Sequence, residues 1–298
     1  MAENRFYDYA TGKEVKNNPE EAYRQLFEHI LIDDLGYPKE NIDIEVVLQR
    51  GSNRNAEEVD IVVYNSNIHK QENAYIIIEI ETPKKKYDLQ AFSYVTATTA
   101  PYCVWFGGFE KNSEGPFYHY RDLKKDPTNF ILIPTLPRYG ETQETIGQYR
   151  KQDLKPAKAL KLLFSRMYYH LYGNGPIKRE ENIAVEVIKL LFCKIMDEIS
   201  PDELCEFRAT PTEVTSAEGK KAIRKRIDSL YHKLLQDPDF GKMFKGESIE
   251  YDNDWVAYIV SELQGIALMH EETHTDALGD AYEILLPSTL KGDSGQFF

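Results

Sequence analysis

Hydrophobic and polar positions divide the chain into two regions of different texture. Residues 19–35, PEEAYRQLFEHILIDDL, set Ala22, Leu26 and Ile30 on one helical face, and the periodicity stops at Gly36-Tyr37-Pro38. Ile42-Asp43-Ile44-Glu45-Val46-Val47-Leu48 then alternates and is rich in β-branched residues, which predicts a strand. The turn Ser52-Asn53-Arg54-Asn55 leads to a second strand, Val59 to Tyr64, and a polar loop leads to a third, Ala74 to Glu81. The pattern from Asp88 to about Thr98 reads as a helix, followed by strands at Tyr102–Phe106 and Phe117–Tyr120. This order of helix and strands predicts an α/β unit of about 130 residues.

Beyond Pro134, Pro137 and a polar stretch, residues 156–172, 180–199, 217–235, 253–269 and 276–286 all carry amphipathic helical patterns. No convincing strand separates them. The expected organisation is therefore a mixed sheet flanked by helices over 1–140, a linker at 141–155, and a mostly α-helical domain over 156–298.

Composition narrows the picture a little. Among 298 residues, 42% are hydrophobic and 29% charged, as in ordinary folded proteins. There is no run of about 18 apolar residues and no apolar stretch at the N-terminus, so no membrane span and no secretory signal is expected. Three cysteines, at 103, 193 and 205, form no paired framework and read as free thiols of a reducing, cytoplasmic setting. The net charge of −13 argues against indiscriminate nucleic-acid binding. A local track of Lys and Arg is still compatible with it.

The strongest chemical signal is Asp60 on the second strand with Glu79 and Glu81 on the third. Residues i and i+2 of a strand share a face, so Glu79 and Glu81 project together from a run of isoleucines. Acids at the end of such a run are costly without a compensating partner, and a divalent cation is a natural one. If the third strand lay at a sheet edge with one solvated face, the glutamate pair would be ordinary.

The order of Glu21 on the first helix, Asp60, Glu79-Ile80-Glu81, then Gln90 and Tyr94 resembles the PD-(D/E)xK nuclease fold. More narrowly, PEEAYRQ, DDLGYPKENIDIE, VDIVVY, and IIIEIETP followed by LQAFSYV resemble the N-terminal nuclease domain of type I restriction enzyme R subunits, from residue 19 to about 108. The resemblance implies Mg²⁺ (or Mn²⁺) held by Asp60 and Glu79, an accessory acid at Glu21, and support of DNA or of the site by Gln90 and Tyr94. DNA and other restriction-modification subunits, including a specificity subunit, are the implied partners.

One position departs from the family pattern. Its lysine, assigned to polarising the attacking water and offsetting charge on phosphate, falls at Glu81. Three accounts are open: Glu81 serves as a base or extra ligand; Lys84, Lys85 or Lys86 swings in from the following turn; or cleavage is lost and the domain only binds DNA or a subunit.

In the second half, LKPAKALKLLFSRMYYHLY, KREENIAVEVIKLLFCKIMDE and IRKRIDSLYHKLL resemble the helical N-terminal domain of N6-adenine DNA methyltransferases, and the final GQFF resembles the segment that leads into their catalytic domain. Neither the cofactor-binding Gly-rich loop nor the catalytic Asn/Asp-Pro-Pro-Tyr/Phe motif of that family occurs. The expectation is thus the front part of a longer restriction-modification polypeptide, in which S-adenosylmethionine would be bound only by the remainder. Lys220, Lys221, Arg224, Lys225 and Arg226 form a basic helical face, with Lys221, Arg224 and Lys225 the candidate DNA contacts; a solvated helix face is the plainer reading. Tyr168, Tyr169 and Tyr172, near Lys178 and Arg179, are candidates to stack on or flank DNA, with core packing the plainer reading at helical spacing. His270-Glu271-Glu272-Thr273-His274 matches HExxH, but it falls where helical periodicity ends, no metzincin extension follows and Glu283 is an unremarkable third ligand, so it reads as a chance match.

Overall fold

The computed structural model describes residues 5–49, 56–82, 85–88, 95–108, 115–156, 159–177, 180–238, 240–244, 247–269 and 279. The chain divides into two compact units, the first ending at Tyr139 and the second beginning at Gly140.

The first unit opens with a hairpin of β1 (Arg5–Tyr7) and β2 (Glu14–Lys16), then helix α1 (Pro19–His29). Asn18 caps α1 by accepting from the Glu21 N–H at 2.7 Å, and Pro19 and two glutamates fill its first turn, where the helix dipole favours negative charge. The expected helix over 19–35 changes form at residue 30: Ile30–Asp34 is a π-helical turn, closed by Leu35 N–H on Ile30 O and by Gly36 at φ 80°.

Six strands form the main sheet: β3 (Ile42–Gln49), β4 (Ala56–Tyr64), β5 (Ala74–Ile80), β6 (Tyr102–Phe106), β7 (Phe117–Tyr120) and β8 (Ile131–Ile133), in that spatial order. Only β5 and β6 run parallel; the other neighbours are antiparallel. The isoleucine-rich β5 therefore lies inside the sheet, between β4 and β6. That excludes an edge-strand explanation for its glutamate. Strand β8 carried no sequence signal, being three residues long with Ile131 and Leu132 exposed.

Helix α1 covers one sheet face through Phe27 and Tyr23, whose rings meet Phe106 at 5.1 and 6.4 Å. Gly108 lets the chain pass under that helix: at φ 90°, a Cβ there would lie 2.7 Å from the Tyr23 ring. On the opposite face Leu48, Val62, Ile77, Cys103 and Trp105 form a buried cluster, joined by Tyr87 and Phe117. Of the expected helix over 88–98, the described end, residues 95–97, is a 3-10 turn.

The second unit holds α2 (Leu160–Asn174), α3 (Glu180–Ile199), the single turn α4 (Pro211–Val214), α5 (Ala217–Gln236) and α6 (Asn253–Leu263) around one apolar core. Tyr168 and Tyr172 pack against that core. The expected helix over 253–269 ends six residues early. A turn at Gln264 and Gly265 diverts the chain into β10 (Ile266–Ala267), which pairs in parallel with β9 (Lys155–Pro156). The stretch 141–155 is part of this body: Leu154 is buried with Cys205 and Ala267. The pattern over 276–286, the HExxH run and the terminal GQFF lie outside the described residues. Among the described residues, no helix is long and apolar enough to cross a membrane.

Candidate active site

The chemistry-bearing residues of the first unit stand in one row across the sheet. The β3–β4 register, with Ile44 opposite Ile61 and Val46 opposite Val59, leaves Glu45 across from Asp60. One step beyond the Ile61–Ile78 pair, Asp60 lies beside Glu79; Glu79 pairs with Trp105, and Trp105 with Phe117. Glu45 is the one described non-glycine residue with positive φ, at 53°, so the backbone of β3 is strained directly opposite Asp60.

Asp60 accepts from the Ile80 N–H at 2.7 Å, which fixes the orientation of its carboxyl group. Glu79 and Asp60 are hydrogen-bonded to each other. Burial pushes the Glu79 carboxyl far above the carboxylate range; the charge of Asp60, its hydrogen bond, and Glu81 push in the same direction, while Lys85 opposes them. Asp60 is also raised, chiefly by burial and further by Glu20, whereas the Ile80 N–H, Glu79 and Arg24 pull it down. The pair thus shares a proton at neutral pH.

Glu81 follows the last residue of β5, and its N–H still continues the ladder to Phe106 O at 2.8 Å. Its carboxylate is held by the Lys85 ammonium, which arrives from the turn after β5 and whose pKa that hydrogen bond raises. Of the two described lysines considered for the missing cation, Lys85 is therefore the one brought to the acids. Lys86 is exposed, and Lys84, Gln90 and Tyr94 lie outside the described residues.

Glu21, the expected accessory acid, stands on the buried side of α1. Its carboxylate pairs with Arg24 and accepts from Gln25 Nε2 at 2.9 Å, and burial raises its pKa. Arg24, itself buried, also reaches Glu45 at 3.1 Å. Glu20 and Arg24 are the α1 side chains whose charges act on Asp60. Neither had a sequence signal, because which side of the helix faces the end of β4 depends on tertiary packing.

Two adjacent half-buried carboxyls fit a hard, oxygen-loving divalent ion, which needs only one or two carboxylates beside water. No group of three or more His, Cys, Asp or Glu poised to hold a metal occurs among the described residues. Any ion here would rest on the Asp60–Glu79 pair.

In the second unit the basic face of α5 is largely consumed by structure. Arg224 binds Asp228 at 2.7 Å and the Ile249 carbonyl at 3.0 Å, Lys220 pairs with Asp254, and Arg226 pairs with Glu213. Lys221 and Lys225 are exposed.

Residues 19–137, most of the first unit, match the family model of the type I restriction enzyme R protein N terminus. No curated protein matches the chain.

Proposed function

We propose that the first unit is a PD-(D/E)xK-type, metal-dependent DNA endonuclease domain of a restriction-modification protein. The observation that carries this reading is the half-buried Asp60–Glu79 carboxyl pair beside the Lys85–Glu81 ion pair. The match of residues 19–137 to a restriction enzyme N terminus supports it.

Asp60 and Glu79 would hold Mg²⁺ or Mn²⁺, and such an ion, when bound, supplies an activated water and offsets charge on the phosphate. The hydrogen bond from Ile80 N–H keeps the Asp60 carboxyl aimed. Lys85 provides the cationic group that the Glu81 position lacks, so that negative charge building on the scissile phosphate meets an ammonium rather than a carboxylate. Glu81 then orients Lys85. The attack of water on the phosphodiester is an in-line displacement, for which the chain provides positioning and charge.

The second unit, on this reading, is the helical domain of an N6-adenine DNA methyltransferase system and contacts DNA or a partner subunit. Supercoiled plasmid with Mg²⁺ or Mn²⁺ tests the nuclease. Nicking or linearisation that disappears in Asp60→Ala supports it. An intact plasmid that is nevertheless bound, equally by Asp60→Ala, would instead make the unit a binding module.

A further inference from the structure

Lys85 lies in a short segment after β5, where its N–H donates to Thr82 O at 2.9 Å. A side chain so exposed needs something else to keep it near Glu81. Two residues on, Tyr87 provides a fixed point. Its hydroxyl meets His119 Nε2 at 2.6 Å. Its ring stacks on His119, with centroids 5.6 Å apart and planes 12° from parallel, and stands edge-on to Trp105 at 5.8 Å and tilted on Phe117 at 4.4 Å. Trp105 is the register partner of Glu79, and Phe117 that of Trp105. Tyr87 thus sits over the continuation of the same cross-sheet row that carries Asp60 and Glu79.

His119 is buried on β7, opposite Cys103. Burial lowers its pKa to about 4 and raises that of Tyr87 to about 12, so both partners are neutral between those limits. With the phenol protonated and the imidazole neutral, the phenol O–H can donate to Nε2. The contact carries no net charge and competes with neither Lys85 nor the acids.

From this geometry we infer that Tyr87 and His119 form an anchor that positions Lys85 over the acid row. They are positioning residues for phosphodiester cleavage, acting through Lys85 and not on the substrate. The catalytic part of this inference rests on the nuclease reading; the anchoring part does not.

Plasmid cleavage by the full chain is the test, with Tyr87→Phe, Lys85→Ala and their combination. Tyr87→Phe removes one oxygen and keeps the ring contacts, so it should lower kcat about tenfold with KM within about twofold, the worth of one hydrogen bond. In the Lys85→Ala background the same change should cost nothing further, since the anchor then has nothing to position. His119→Gln, which keeps an acceptor, should retain most of the rate that His119→Ala loses. Equal losses from Tyr87→Phe with and without Lys85 would overturn the inference, as would an unaltered kcat.

Tryptic cleavage after Lys85 and Lys86, mapped by mass spectrometry, reads the anchor without any DNA. It should accelerate several-fold in Tyr87→Phe while cleavage elsewhere and the melting temperature hold. If the wild type never cuts DNA, the nuclease reading falls, and unchanged proteolysis would remove the anchor as well.

Discussion

Half-buried Asp60 and Glu79 of the first unit differ from the buried acids of the second, and from Glu21 and Asp34 of their own unit, which pair with Arg24 and Arg138. In the second unit each described buried acid has a partner of opposite charge or a set of N–H donors. Arg166 and Glu262 face each other at 2.8–3.0 Å with both side chains 1% exposed. Lys189 holds Glu186 at 2.7 Å, Lys194 holds Glu198 at 3.1 Å, and Asp197 accepts from the N–H groups of Glu206 and Phe207. In the first unit Asp60 and Glu79 face each other instead, and the nearest ammonium belongs to Glu81. Matched ion pairs close a fold, whereas two acids forced together leave negative charge for something else to neutralise. The difference separates structure from candidate chemistry better than residue type does.

The largest effect expected from breaking this contrast is on catalysis. Asp60→Ala should reduce plasmid cleavage by roughly 10³-fold, as loss of a principal charge-stabilising group does. The same unit should tolerate the change, because a repelling half-buried carboxyl is removed; Glu79→Gln should leave the melting temperature unchanged or higher. Mg²⁺ should raise the wild-type melting temperature and leave that of Asp60→Ala unmoved. Since the pair holds a proton that a cation must displace, Mg²⁺ affinity should increase with pH. An Mg²⁺ shift surviving in Asp60→Ala would place any ion elsewhere.

The mirror experiment belongs to the second unit. Arg166→Met strands Glu262 in the core and should cost about 3–5 kcal/mol in urea unfolding. Converting Glu262 to Leu in the same chain should recover most of that loss, because the apolar pair leaves no buried charge. If the single variant costs under about 1 kcal/mol, the pair is not the closed structural contact that its burial indicates.

Alternation and composition made the sheet of the first unit legible. Asp60 and Glu79 stood out because each interrupts a β-branched run that has no use for an acid. Long-range pairing made the rest illegible. Glu45 looked like an ordinary polar strand position, and neither its φ of 53° nor its bond to Arg24 follows from local sequence. The helix glutamates were one position apart, too close for periodicity to say which faces Asp60. Arg224 read as part of a free basic face because the carbonyl that it binds is 25 residues further along the chain. The end of α6 at Leu263 was hidden for a similar reason: β10 is specified by pairing with β9, over a hundred residues earlier.

A smaller effect should come from the other acid–acid contact of the first unit. Glu28 is fully buried, hydrogen-bonded to Asp8, and accepts from the Ala10 N–H at 3.0 Å; burial, then Asp8, push its pKa up to about 9. A carboxyl protonated in the folded state and ionised in the unfolded one favours folding most at low pH. Its contribution should be complete below about 4.5 and be lost progressively as the pH rises to about 9. Glu28→Gln supplies a permanent N–H donor to Asp8, so its melting temperature should vary less across that range and exceed the wild-type value at pH 8. Parallel curves for the two proteins would show that Glu28 does not hold this proton.

The smallest effect tests whether the second unit touches DNA at all. Lys221 and Lys225 are exposed on α5, whereas Arg224 is spent on Asp228 and the carbonyl of Ile249. If the helical face meets a phosphate backbone, Lys221→Ala and Lys225→Ala should each reduce the slope of log affinity against log salt by about 1, with little change in melting temperature. Arg224→Ala should instead lower stability, because the carbonyls of Ile249 and Tyr251, just before α6, lose their donor. A salt slope indifferent to both lysines would assign the face to solvent, the ordinary role of charges on a helix in a chain of net charge −13.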